Sequence, residues 1–293
     1  MSFVQRNSRF SIGDWVNYAL LLIISLVSVF PFIYIFSVSF TDSSVYIPMK
    51  FYIFPEKWSL DAYAYILSTN SFINATKSTV FITVVGTILN LIFTFTMAYR
   101  LTKKNLPARK FILSCVIFTL VFSAGLVPNY LLVKELGLIN SLWALIWPGL
   151  TNAWSLIVVK SFMDSLPAEL EESAKMDGCT ELGVFFRIIL PLSKPAIAAF
   201  TLFFAVGHWN TYFNAVIYLT DHTKWTLQVL VKSLVMDAGA MGSAGEPVTA
   251  EGDVPLETIR MAAIVLAIAP ILVVYPFLQK YFAQGVMLGS VKG

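Results

Sequence analysis

Six stretches of at least 19 residues contain no Asp, Glu, Lys or Arg, and they limit the folds available to this 293-residue chain. A helix needs about 20 apolar residues to cross a bilayer core roughly 30 Å thick. Only 13% of the residues are charged, against about 25% in a soluble domain. The sequence therefore predicts an all-α integral membrane protein that forms a single domain over residues 1–293. The six predicted transmembrane helices are 15–41, 78–99, 111–133, 136–159, 195–220 and 261–279.

The first stretch has an alternative interpretation, because a secretory signal also begins with basic residues and continues into an apolar core. Arg6 and Arg9 precede the stretch, and Ser37-Val38-Ser39 loosely resembles a cleavage site with small residues. A signal core has about 7–15 apolar residues, and this stretch is far longer. A retained first helix is therefore favoured.

The distribution of Lys and Arg predicts which loops face the cytoplasm. With both termini placed in the cytoplasm, 13 of the 20 Lys and Arg residues lie on that side. The short loop 100–110 contributes most, because it carries five basic residues and no acid. The predicted topology also has a cytoplasmic loop at 160–194 and external loops at 42–77 and 221–259. For the acidic, glycine-rich loop 221–259, the sequence leaves open a crossover or a docking surface for an external partner.

The cytoplasmic loop 160–194 predicts a helix–turn–helix outside the bilayer. Ser165 is a candidate N-cap, and Gly178 suits the left-handed residue that ends a helix. The first helix is then 167–177, and a second helix ends before Pro191. An interfacial hairpin that anchors the protein is the alternative, and it would carry bulky apolar residues opposite basic ones. The first helix is acidic and has few apolar residues, so a surface for a partner protein is favoured.

The same loop carries a motif that resembles a known family. It contains Glu172-Ser173-Ala174, then Gly178, then Ile188-x-Leu190-Pro191. This pattern resembles the EAA loop of ABC-importer permeases, with Ser173 where that family usually has alanine. Asp177 before the glycine and the ending Gly289-Ser290-Val291-Lys292-Gly293 resemble the carbohydrate branch of that family, the MalG-like and LplC-like permeases.

The resemblance implies a MetI-like ABC permease fold in a bacterial plasma membrane, with a cytoplasmic EAA coupling helix and a carbohydrate, most simply an oligosaccharide, as the cargo. It implies three protein partners: a second and different permease subunit, two copies of a cytoplasmic ATPase, and an extracellular solute-binding protein. ATP and Mg²⁺ would bind to the ATPase, so the chain itself would bind no cofactor and would not be an enzyme. The residues implied to contact the ATPase are Glu172, Ser173, Ala174, Asp177, Gly178, Leu190, Pro191 and Lys292.

Polar residues inside transmembrane helices usually line a cavity or form hydrogen bonds between helices. If the fourth and fifth stretches are continuous helices, the fourth has one polar face, and the fifth has His208 and Tyr212 opposite two asparagines. Aromatic rings with adjacent hydrogen-bonding groups suit sugars. The alternatives are anchoring at the membrane interface and bonding between helices. The candidate residues of a substrate path are Trp147, Thr151, Trp154, Ser155, His208, Asn210, Tyr212 and Asn214.

Two other classes of function fit the sequence less well. A secondary transporter commonly has internal repeats and intramembrane ionisable groups, whereas only His208 titrates near neutrality inside an uncharged stretch. A membrane enzyme is disfavoured because no nucleophile elbow stands out, and without a phosphate-binding loop ATP must be hydrolysed by another chain. Two histidines and two cysteines match no metal site, and a net charge of +3 implies no nucleic-acid partner.

Overall fold

The computed structural model describes residues 12–48, 50–236 and 254–290. Over these ranges the secondary structure is helical, apart from an isolated β-bridge between Thr41 and Trp58. The chain divides into two compact units, one of residues 1–68 and 248–266 and the other of residues 69–247 and 267–293. The last helix contributes to both units.

The first unit contains α1 (Ile12–Ser39), α2 (Asp61–Ser68) and the beginning of α13 (Leu256–Ser290). The segment between α1 and α2 is held by side chains. Ser39 Oγ and the Tyr63 hydroxyl are 2.7 Å apart, and the Phe40 ring lies 4.7 Å from the Tyr63 ring. The predicted external loop 42–77 is therefore ordered, and its last residues belong to helices.

The second unit is built around α3 (Asn70–Thr102). Its other helices are α4 (Arg109–Val121), α5 (Leu126–Glu135), α6 (Ala153–Asp164), α7 (Ala168–Met176), α8 (Glu181–Val184), a π-helical turn (Phe185–Ile189), α9 (Leu190–Leu192), α10 (Lys194–Trp209), α11 (Phe213–Tyr218) and α12 (Leu227–Met236), with 3-10 turns at Leu142–Leu145, Trp147–Gly149 and His222–Lys224. The long helix α3 packs against α6 and α10. One apolar cluster joins α3, α6, α7 and α10, and another joins α3, α11 and α12.

Three helices of the described ranges are long and apolar enough to cross a membrane: Gly13–Ser39, Asn70–Thr102 and Leu256–Val274. They correspond to the predicted spans 15–41, 78–99 and 261–279, although each begins earlier than predicted. Two further spans are available if each of two bent helix pairs crosses the membrane once. The structure thus supports three spans, or up to five, and the predicted count of six is not confirmed.

The prediction of a single helix over 111–133 is wrong. α4 ends at Val121 because Phe122 has extended backbone angles. A helix of 13 residues is only about 20 Å long, which is too short to cross the core alone. α5 begins at Leu126, and Pro128 is tolerated in its first turn because no intrahelical donor is needed there.

The predicted span 136–159 is also divided. It becomes two 3-10 turns, within Leu142–Gly149, followed by α6, and the segment of the two turns is bent by 49° relative to α6. Pro148 lies in the second turn. Asn152 caps α6, since its side chain accepts a hydrogen bond from the Ser155 amide at 2.8 Å.

The predicted span 195–220 is wrong as one helix, because α10 ends at Trp209. Asn210 Nδ2 donates to the Val206 carbonyl at 2.9 Å, and Thr211 Oγ1 donates to the Gly207 carbonyl at 3.2 Å. Side-chain hydrogen bonds to these carbonyls compete with continuation of the helix.

Candidate functional site

The motif helix α7 begins one residue later than predicted. Ser165, the predicted N-cap, instead ends α6, because its Oγ donates to the Phe162 carbonyl at 2.6 Å. Pro167 has an extended ψ of 127° and precedes the first helical residue, Ala168. The prediction of a short helix between the fourth and fifth apolar stretches is correct, and its predicted cap is wrong.

α7 ends at Met176, one residue before the predicted end at Asp177, and Gly178 is the left-handed residue that the sequence predicts. Gly178 has a φ of +83°, the left-handed conformation that favours glycine. Its amide donates to the Lys175 carbonyl at 3.0 Å, and the Cys179 amide donates to the Ala174 carbonyl at 2.9 Å. These bonds satisfy carbonyls in the last turn of α7, so Gly178 sets the direction in which the chain leaves the helix.

The two sides of α7 have different surroundings. Ala174 is 7% exposed and belongs to the same apolar cluster as Val184 and Phe185. Met176 is 89% exposed. The motif alanine therefore packs α7 against its own chain, and its contact with the ATPase stays a prediction. The other predicted contact residues of this helix and its turn are exposed: Glu172, Ser173, Asp177 and Gly178.

Lys103, beside the end of α3, holds α7 through an ion pair with Glu171. The two side chains are only 10% and 23% exposed. Lys103 Nζ also lies 4.1 Å from the centre of the Tyr99 ring, and the Tyr99 hydroxyl donates to Glu181 at 3.3 Å. These contacts connect α7 and α8 to α3. Salt screens a partly buried ion pair less than it screens a pair on the surface.

A second ion pair crosses the turn between α7 and α8. Lys175 Nζ lies 2.7 Å from Glu181 Oε1. The hydrogen bond to this carboxylate raises the pKa of Lys175 above its ordinary value. Both side chains are more than 40% exposed, so the pair adds little to stability.

The second helix of the loop continues through Pro191, although it was predicted to end before this residue. Proline lacks an amide donor. A π-helical turn precedes Pro191, and in this turn the Leu190 amide donates to the Phe185 carbonyl. The segment bends by 78° between Leu192 and Lys194. Leu190 packs beside the apolar cluster and Pro191 is exposed. Lys292 lies outside the described residues.

A polar junction joins α3, α10 and the 3-10 turn that ends at Gly149. Asn90 Oδ1 lies 2.7 Å from His208 Nε2, and Asn90 Nδ2 donates to the Gly149 carbonyl at 2.5 Å. Asn90 is 2% exposed, so both ends of a buried amide have partners. A Cβ on Gly86 would lie 2.5 Å from His208 Nε2. Glycine at this position therefore lets the imidazole reach Asn90.

The predicted polar face of the fourth span does not exist, because the chain between Gly149 and Ala153 is not helical. Thr151 receives a hydrogen bond from Thr94 at 3.1 Å, and Ser155 is buried. The Trp154 ring packs against Phe203 at 5.6 Å. Of the four predicted residues, Trp147 and Trp154 remain about half exposed.

The predicted opposite faces of the fifth span are likewise absent, because α10 stops before Tyr212. Lys232 Nζ lies 4.0 Å from the centre of the Tyr212 ring, and Gln228 Nε2 lies 3.4 Å from Asn210 Oδ1. Asn214 is exposed on α11. Asn210 and Tyr212 therefore meet α12, whereas His208 belongs to the polar junction.

Sequence reasoning missed Asn90, Thr94 and Lys103. Asn90 carried a usable signal, because it is the asparagine of the uncharged stretch 78–99 and a buried amide needs partners on another helix. Lys103 carried no such signal. Its partner Glu171 is 68 residues away, and only the packing of α7 on α3 brings the two charges together.

Comparisons with known proteins agree on one family. Residues 97–288 match the family described as binding-protein-dependent transport system inner membrane component. Protein LplC of Bacillus subtilis (strain 168) is 48% identical over 92% of this chain and 91% of the relative. The polygalacturonan/rhamnogalacturonan transport system permease protein YtcP of the same organism is 46% identical over 96% of this chain and 98% of the relative.

Solved structures point the same way. A chain in the crystal structure of a bacterial ABC transporter involved in the import of the acidic polysaccharide alginate has a TM-score of 0.85 and 33% identity, over 96% of this chain and 100% of that chain. A chain of a bacterial alginate ABC transporter, in complex with alginate pentasaccharide-bound periplasmic protein, shares the fold with a TM-score of 0.57 and 19% identity. The predicted family is thereby confirmed, and the chain belongs to the inner membrane components of binding-protein-dependent transport systems, as a multi-pass ABC-transporter permease.

Proposed function

We propose that this chain is one permease half of an ATP-driven importer of carbohydrate, with an oligosaccharide as the cargo. A relative named for polygalacturonan/rhamnogalacturonan transport and a structural neighbour from an alginate importer support this class of cargo. The observation that carries the coupling role is α7, which exposes Glu172, Ser173 and Met176 while Ala174 is buried against its own chain.

The proposed assembly has a second and different permease subunit, two copies of a cytoplasmic ATPase that binds ATP and Mg²⁺, and an extracellular solute-binding protein that meets the loop 221–259. The chain crosses the membrane six times with both termini in the cytoplasm. ATPase closure draws the α7 helices of the two permease subunits together, and the ion pair between Lys103 and Glu171 passes this movement to α3. The residues proposed to meet the ATPase are Glu172, Ser173, Asp177, Gly178, Leu190, Pro191 and Lys292.

Cross-linking from α7 tests the proposed contact with the ATPase. Met176→Cys is introduced into a chain in which Cys115 and Cys179 are replaced by serine, and the importer is reconstituted with its partners. Because Met176 is 89% exposed in the last turn of α7, we expect a short bifunctional maleimide to link it to an ATPase cysteine. The linked species is identified by mass spectrometry with and without ATP.

The matched control is Phe54→Cys, because Phe54 is 76% exposed and lies in the predicted external loop 42–77. It is expected to give no link to the ATPase. A link from position 54 and none from position 176 would contradict the proposal. Uptake by the chain alone, driven by an ion gradient in liposomes, would instead favour a secondary transporter.

Replacement of Lys103 tests the proposed path from α7 to α3. Lys103→Met removes the charge while keeping much of the stem, and we expect uptake to fall by roughly threefold to tenfold while ATP hydrolysis continues. Glu171→Gln is expected to have a similar effect, and the double variant to be no worse than either single variant, since one interaction is lost in all three. Uptake and ATPase rates are measured in the same proteoliposomes.

The neighbouring Lys104 provides the control for charge at this end of α3, because its side chain is exposed. Lys104→Met is expected to behave like the unmodified chain. Equal losses in the two lysine variants, or additive losses in the double variant of Lys103 and Glu171, would show that the ion pair has no specific part in coupling.

A further inference from the structure

Two buried hydroxyl groups of α3 lie beside the polar junction and form no hydrogen bond. The Oγ1 atoms of Thr83 and Thr87 are shielded from solvent, and neither has a hydrogen-bond partner within the part of the chain that the structure describes. Thr87 as a whole is only 6% exposed. A buried polar group without a partner destabilises a fold, and native proteins contain few of them. These two hydroxyls therefore require an explanation.

The spacing of the two threonines places them on the same side of α3 as Asn90. Because a helix has 3.6 residues per turn, Thr83, Thr87 and Asn90 fall within about 60° of one another around the axis. This side of α3 faces α10, since Asn90 Oδ1 lies 2.7 Å from His208 Nε2. The unpartnered hydroxyls thus belong to the surface on which α10 packs.

His208 lies against α3 between two polar neighbours. A Cβ on Gly86 would be 2.5 Å from His208 Nε2 and 2.8 Å from its Cδ2, so the imidazole rests directly on the Gly86 backbone. Thr83 is three residues before Gly86 and Asn90 is four residues after it, and residues at these spacings are neighbours on a helix surface. The imidazole therefore has a polar side chain toward each end of α3, and it is bonded to one of the two, Asn90.

We propose that Thr83 is a second hydrogen-bond partner of His208, used in the nucleotide-bound state of the importer. His208 Nε2 donates to Asn90 Oδ1 in this structure, because the Asn90 amide nitrogen donates to the Gly149 carbonyl. When α10 moves across α3, the imidazole shifts by about 4.5 Å along the helix, and the same N–H donates to Thr83 Oγ1. His208 gains and loses no proton. The proposal rests on the proposed function, because closure of the ATPase supplies the movement.

Thr87 supplies the donor that Asn90 loses in this exchange. Without His208, the buried Asn90 oxygen would be left without a partner. Thr87 is three residues before Asn90, so its hydroxyl can turn toward that oxygen and donate to it. Both hydroxyls that form no hydrogen bond in one arrangement then have partners in the other. This exchange of partners gives α10 two discrete positions on α3.

The test measures the thermal stability of the assembled importer in two states, without nucleotide and trapped by ATP and vanadate. Thr83→Val keeps the size of the side chain and removes the hydroxyl. We expect the midpoint of thermal unfolding to stay the same or rise without nucleotide, because the hydroxyl has no partner there. In the trapped state we expect the midpoint to fall by about 2 °C or more. Uptake of an oligosaccharide is expected to fall by roughly threefold to tenfold.

A second substitution shows whether the effect acts through the imidazole. Once His208→Ala has removed the donor, Thr83→Val is expected to cause no further loss in the trapped state, and this non-additive result is specific to direct contact. His208→Ala alone is expected to lower the midpoint in both states, since it breaks a bond with Asn90 in one and with Thr83 in the other. Thr83→Ser keeps a hydroxyl, and its trapped-state midpoint and uptake are expected to match those of the unmodified importer.

The matched control is Thr76→Val. Thr76 is another threonine of α3 whose hydroxyl is buried and has no partner among the described residues. It lies ten residues, or about 15 Å, from Gly86 along the helix, so His208 does not reach it. Thr76→Val is expected to respond to nucleotide and to support uptake as the unmodified importer does.

Three results would overturn the proposal. Thr83→Val lowers the midpoint equally in both states, it behaves like Thr76→Val in both states and in uptake, or its effect in the trapped state is the same with and without His208. In each case, uptake of an oligosaccharide by the unmodified importer leaves the proposed function intact. Absence of such uptake would overturn the proposed function, and the stability measurements would still test the exchange of partners separately.

Discussion

Gly178→Val is expected to separate ATP hydrolysis from uptake. Gly178 has a φ of +83°, and a residue with a side chain, above all a β-branched one, is strained in that conformation by about 1–2 kcal/mol. An added Cβ meets no atom within 4 Å, so the strain comes from the backbone alone. Relief of this strain reorients the end of α7, and we expect uptake to fall at least tenfold while ATP hydrolysis persists and membrane insertion is normal.

The control for this prediction is Gly178→Asn, because asparagine tolerates the left-handed conformation better than other residues with a side chain. Asparagine adds more side-chain atoms than alanine would. The Gly178→Asn variant is nevertheless expected to retain most of the uptake. Uptake, ATPase rate and the amount of chain in the membrane are measured for both variants. Normal uptake by Gly178→Val would mean that the end of α7 has no part in coupling.

Gly86→Ala is expected to destabilise the polar junction. The new Cβ would lie 2.5 Å from His208 Nε2 and 2.6 Å from its Cε1, so the imidazole has to move away from Asn90. Overpacking usually costs about 1–3 kcal/mol, and the lost hydrogen bond between helices adds roughly 0.6–2 kcal/mol. We expect a lower midpoint of thermal unfolding for the purified importer and a loss of uptake.

The second variant for this prediction is Gly86→Ala combined with His208→Ala. Removal of the imidazole makes room for the new methyl group, so the double variant is expected to be more stable than Gly86→Ala alone. This non-additive result is specific to direct contact. If the double variant equals the sum of the two single variants, the close approach of His208 to Gly86 does not control stability.

The sequence predicted the family and the helix in the loop 160–194 because both depend on local chemistry. Gly178 ends α7 through its own backbone conformation, and the first apolar stretch forms one helix although Pro31 lies inside it. Breaks inside apolar stretches were not predicted, since absence of charge says nothing about hydrogen bonding at Asn152 or Asn210. The polar junction was missed for another reason: the partners of Asn90 lie on distant segments, and only the packing of those segments brings them together.

The bend of 78° between Leu192 and Lys194 makes an elbow of the loop and the helix that follows it. A force applied along the axis of Glu181–Leu192 would therefore act nearly perpendicular to the axis of α10. If the angle between the two segments stays fixed, movement of Glu181–Leu192 by a partner protein would tilt α10 far more than it would shift α10 along its own axis. His208, near the other end of α10, would then move across the neighbouring α3. The displacement of each residue of α10 would increase with its distance from the bend.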